Sequence, residues 1–118
     1  MAFWSAISGD ANEEDWMGYP TGPVTPGGAL IRLMRTYDNL WADISAGSGS
    51  NALTRDFGFG FQFMEEFQDR VLFGTGICQC PQPVDQGDTM NRALAEGKIT
   101  KEAYEKITHL NAEKLLKL

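Results

Sequence analysis

Three side chains of this 118-residue sequence stand out as candidates for chemistry: Asp43, Cys78 and His109. His109 is the only histidine, and Glu105 and Glu113 stand four residues to either side, so on a helix the three share one face. An imidazole so placed is either a general base or metal ligand, or a surface histidine paired with acids. The sequence supplies no spacing that forces further metal ligands onto it. Cys78 and Cys80 form a Cys-x-Cys just past an apolar stretch. A thiolate there would be a nucleophile or a ligand for a soft metal, yet no second cysteine pair and no nearby histidine supports either use, and packing is the simpler one. Asp43 lies in "NLWADIS", where it shares a face with Trp41 and Ser45, opposite Leu40, Ala42 and Ile44. Asp85 and Asp88 pair on paper with Glu13, Glu14 or Asp15 as carboxylates for a divalent metal or acid–base work, although solvated loop charges explain them equally well. The candidate catalytic residues are therefore Cys78, His109 and Asp43, with no cofactor required and a divalent metal such as zinc or manganese as the alternative.

The elements that must position these residues follow from periodicity. A helix is expected over Pro26–Tyr37, with proline at its start and Leu30, Leu33, Met34 and Tyr37 at helical spacing. Asn39–Ser45 reads as a strand that "AGSGSN" breaks, leaving Ser50 or Asn51 to cap a helix over Ala52–Arg70. The glycine-rich turn lacks the lysine of a phosphate-binding loop and reads as a plain connection. Phenylalanines alternate through that helix as in a strand, but Leu53, Phe57, Phe61, Met64 and Phe67 step by three and four, and the helical reading wins although Gly58 and Gly60 cost about 1 kcal/mol each. Arg70–Gly76 is a second strand, apolar on both faces as parallel strands are, so strand, helix and strand form one right-handed βαβ unit. Cys78–Asp88 is then a proline-rich loop, and a last helix starts at a Thr100 cap with Ala103, Ile107 and Leu110 on one face. The chain reads as a single domain: an arm and loop over residues 1–25, whose Trp16, Met17 and Tyr19 should dock, and a β/α unit over residues 26–118.

Composition narrows the partners. A net charge of −6 with only ten Lys and Arg leaves little to neutralise phosphates, so nucleic acid and anionic membranes are excluded. No apolar run approaches the roughly 20 residues of a membrane span and no secretory signal opens the chain, so a cytoplasmic protein is expected. One residue between Cys78 and Cys80 is too few for an unstrained disulfide, which suits reduced thiols. Seven Phe, three Trp and three Tyr carry more apolar area than two strands and a few helices cover, and a two-stranded parallel sheet leaves both edges unpaired. Association of copies through sheet edges or exchanged helices is the expected remedy. A homo-oligomer with a small-molecule substrate or an apolar ligand follows.

"NLWADIS", "ALTRD", "FMEEFQDRVLFGTGI" and "ITHLNAEKLLKL", in that order, resemble the C-terminal part of metal-dependent amidohydrolases of the amidohydrolase-2 group, which includes hydrolases and non-oxidative decarboxylases. The resemblance implies a (β/α)8 barrel of which this chain matches the last quarter, from the segment after strand six through strand seven (Asn39–Ser45), helix seven, strand eight (Arg70–Gly76) and helix eight. It also implies a metal centre held by a His-x-His pair on strand one, by ligands from middle strands including a histidine just before the phrase resembled by "AFW", and by an aspartate at the end of strand eight. The chain starts after the place of the last of those histidines, and the aspartate's place is Gly76. The expected fold is thus α/β, a partial (β/α)8 barrel of about two parallel strands with three to four helices, completed by homo-oligomerisation. The expected function is that of an amidohydrolase-like protein without the parent metal centre, with at most weak hydrolase activity in a pocket between subunits. The alternative is a non-catalytic oligomeric binding or structural module using its aromatic surface.

Overall fold

Strands β1 (Ala42–Asp43) and β2 (Val71–Leu72) pair in parallel, Ala42 opposite Val71 and Asp43 opposite Leu72, as the βαβ reading requires. The computed structural model describes residues 2–118. Regular pairing is shorter than the apolar runs suggest, but single hydrogen bonds extend it, from Ala42 N to Arg70 O, Ile44 N to Leu72 O and Ala46 N to Thr75 O. Helices surround the pair: α1 (Ala2–Ser5), α2 (Ala29–Thr36), α3 (Ala46–Thr54), α4 (Phe57–Glu66), α5 (Gln86–Ala95), α6 (Lys101–Glu105) and α7 (Asn111–Leu116). A 3-10 turn covers Glu14–Trp16, and a π turn over Lys106–Leu110 joins α6 to α7. The α/β class with two parallel strands is as expected, while the helical segments outnumber the three or four foreseen.

Both outer edges of the pair are covered by the chain itself, which corrects the expectation of unpaired edges. Backbone groups alternate in direction along a strand. Ala42 and Ile44 turn their amides to β2, so Asp43 turns its carbonyl outward, where it accepts from the Trp4 indole at 3.1 Å. Val71 and Phe73 likewise face away from β1. The Val71 carbonyl accepts from Asn111 Nδ2 at 2.8 Å, and the Phe73 amide donates to the Ile107 carbonyl at 3.0 Å. The π turn makes the second bond possible, because the Asn111 amide reaches back to Lys106 O and leaves Ile107 O without its usual helical donor. Asn111, buried among these groups, also donates to Gln68 O at 2.7 Å.

The long helix expected over Ala52–Arg70 is two helices with an earlier start. Ala46, the first residue of α3 and three past the end of β1, adopts a left-handed φ of 58°, and "AGSGSN" runs as helix rather than as a linker. The break falls at Arg55 and Asp56, where the Asp56 carboxylate accepts from Phe59 N and caps α4. Gly60 lets α4 lean on the end of α3, since a Cβ there would stand 2.1 Å from the Leu53 carbonyl oxygen. Helix α5 was not foreseen. It begins inside the supposed loop, buries Gln86, Met90 and Ala93 at helical spacing, and ends at Gly97, where Lys98 N returns to Ala93 O.

The arm divides into a buried side and an exposed one. Trp4, Ile7 and Val24 are core residues, together with Leu30, Met34, Phe63 and Met64. Trp16, Met17 and Tyr19 stay 47%, 82% and 56% exposed, so the expected docking of all three is corrected. The second Asp56 oxygen accepts from Val24 N at 3.1 Å, and Arg55 donates to the carbonyls of Thr21, Gly22 and Pro23. Those two amide bonds, to Val24 and Phe59, hold the Asp56 carboxyl below the usual aspartate range. Arg70 closes α2 by donating to Met34 O and Tyr37 O, both at 2.7 Å. Thr100 caps α6 as expected. No described helix is long and apolar enough to cross a membrane.

Candidate functional site

The C-terminal ends of the two strands meet at Ala46 and Gly76. Gly76 has a φ of +65°, a region that side chains disfavour, and a Cβ built there would lie 2.8 Å from Ala46 N and 2.9 Å from Ala46 Cβ. The obstacle is backbone, so it cannot swing away as a long side chain would. Behind this contact, Gln86 projects a buried amide from α5 and donates to Ala46 O at 2.7 Å and Ile44 O at 3.3 Å. The strand end is thus a close backbone junction locked by one amide.

Asp43 and Cys78 both stand at this end. The Asp43 carboxylate accepts from Ser45 N at 2.8 Å and lies over Gly74, where an added Cβ would be 3.1 Å from Oδ1. Cys78 and Cys80 are free and exposed. Gln82 folds their loop onto the strand end: its Oε1 accepts from Cys78 N at 3.1 Å and from Cys78 Sγ at 3.5 Å, while its Nε2 donates to Gly76 O at 3.1 Å. His109 lies elsewhere, exposed on the π turn that covers the outer edge of β2, with Nδ1 3.2 Å from Thr108 Oγ1. Neither Glu105 nor Glu113 forms an ion pair with it among the described residues. No hydrogen bond joins Asp43, Cys78 and His109. Among the described residues no three His, Cys, Asp or Glu side chains gather as a metal-binding group, Asp85, Asp88 and the arm acids included.

The amidohydrolase family model matches residues 17–118. This chain belongs to the amidohydrolase family. No curated protein and no solved structure matches it. The resemblance implies a metal at the strand ends, and Gly76 supplies no ligand for one there. Where the resemblance calls for an aspartate this chain has Gly76, without a donor atom and without room for one. Asp43, on β1, already holds the Ser45 amide.

Sequence reasoning missed Gln82 and Gln86, the two amides that shape this end. Both come from the stretch read as a proline-rich loop. Met90 and Ala93, four and seven residues beyond Gln86, were the available signal for the buried face of α5.

Proposed function

We propose that this amidohydrolase-family chain acts as a self-associating binding module and does not carry out the family's metal-activated chemistry. The observation that carries the reading is Gly76, whose left-handed backbone packs on Ala46 in the place where the resemblance calls for the metal-binding aspartate. Leu33, Tyr37, Phe57, Leu110, Leu115 and Leu116 offer apolar surface for association. Copies that complete a larger layered core do so through these faces or through exchanged helices, since Trp4, Ile107 and Asn111 already occupy the sheet edges. An apolar or aromatic ligand suits the same surface.

One observation favours weak hydrolysis as a second reading: Cys78 is exposed at the strand end with its sulfur beside the Gln82 amide. Metal content and turnover of ester and phosphoester substrates separate the two, with Cys78→Ala, His109→Ala and Asp43→Asn measured beside the parent. The binding-module reading expects no stoichiometric zinc or manganese and background rates that none of the three substitutions changes. Stoichiometric metal would overturn it, and a rate abolished by Cys78→Ala would transfer the conclusion to the hydrolytic reading.

A further inference from the structure

A groove of about 370 Å³ opens between the start of α4 and the end of α5, lined by Phe57, Gly58, Phe61, Arg92, Glu96 and Lys98. It lies within the size range of ligand-binding pockets, about 300–1,000 Å³. Its chemistry is aromatic and cationic at once. The Phe57 and Phe61 rings are 5.8 Å apart and tilted by 34°, and the Arg92 guanidinium sits 5.6 Å from the centre of the Phe57 ring. Neither Arg92 nor Lys98 enters an ion pair among the described residues, so two cations face one acid, Glu96.

The complementary surface is on the same chain. Glu13, Glu14 and Asp15 precede Trp16 and Met17, and Glu13, Glu14, Trp16 and Met17 are all exposed. Local bonds hold this segment in shape: Asn12 Oδ1 accepts from Glu14 N at 2.8 Å, and Asp15 Oδ2 accepts from Asn12 N at 3.0 Å. A segment ordered in advance loses less entropy on binding. None of the three acids has an ion-pair partner among the described residues. The segment does not reach its own groove, because Trp16 lines a different hollow with Ala6, Gly27 and Arg32, and the chain beyond it is anchored to α3 through Asn51 and Arg55.

We infer that the acidic turn Glu13–Met17 of one copy docks in the Phe57–Arg92–Lys98 groove of a second copy, with Trp16 stacked against the rings and the carboxylates paired with Arg92 and Lys98. The inference rests on the self-association reading and names the surfaces that perform it. Charge complementarity argues for this occupant: the three acids Glu13, Glu14 and Asp15 meet a groove with one net positive charge. Reciprocal exchange closes a two-fold dimer, and one-way docking extends into chains.

The test is a charge swap in the full chain, followed by sedimentation velocity over a concentration series. Arg92→Glu with Lys98→Glu, and separately Glu13→Lys with Glu14→Lys, should each raise the dissociation constant at least about tenfold, and all four together should recover most of the loss. Trp16→Ala should weaken association without changing the far-ultraviolet circular dichroism. Association that persists unchanged in both reversed pairs, or a quadruple variant no better than either pair, would overturn the inference and leave self-association standing. A parent chain that stays monomeric throughout would remove both.

Discussion

Gly76 shows how one residue carries two messages, of which the sequence displays only the first. Its lack of a donor atom is legible from "FGTG" beside the resemblance; its backbone requirement is not, because that depends on Ala46, thirty residues earlier in the chain. Substitution should therefore be asymmetric. Gly76→Ala should lower unfolding stability by about 1–3 kcal/mol, from the disfavoured φ and the contact with Ala46. Ala46→Gly, which relieves a left-handed alanine, should leave stability unchanged or raise it by up to about 1 kcal/mol. Urea denaturation of both variants checks the pair, and equal losses would contradict the geometry. Asn111 has a similar history. Its motif is visible in "ITHLNAEKLLKL", but the two hydrogen bonds its Nδ2 donates, to Gln68 O and Val71 O, become visible only once the helix lies along the strand.

At the scale of elements, local pattern was reliable where burial followed one period and failed where two patterns overlapped. The βαβ order and the Thr100 cap were legible from apolar runs and a capping residue. The α3–α4 break was hidden because the apolar stripe runs straight across it, although Asp56 before Phe57 is a standard capping signal. Asp56 is also where pH should act on the fold. Its carboxyl titrates below the ordinary range because it accepts from Val24 N and Phe59 N. A depressed folded-state pKa gives stability that is present above the unfolded value, about 3.9, and is lost as pH falls through the folded value. Glu66 acts in the same sense, held down by Arg35 at 2.6 Å. Asp56→Ala should cost about 1–2 kcal/mol near neutral pH, a cost that shrinks in acid as the parent loses the same bonds. Thermal unfolding of parent and variant from pH 7 to 2 measures this, and a gap that stays constant across the range would contradict it.

For the whole molecule, the aromatic count read from the sequence was a fair guide to excess apolar surface but a poor one to its location. Trp4, Phe63 and Phe67 are buried, whereas Phe3, Trp16, Tyr19, Tyr37 and Phe57 remain exposed. The sheet edges were expected to be the open surface, yet the two ends of the chain cover them, Trp4 from one side and the π turn with Asn111 from the other. Long-range closure of this kind leaves no local trace in sequence. What stays open is a set of apolar faces and the groove between Phe57 and Arg92, which copies of the chain would cover. Light scattering of the full chain across micromolar concentrations is the direct measurement. The account predicts a mass at a multiple of 13.0 kDa that falls on dilution, and a folded species of 13.0 kDa at every concentration would contradict it.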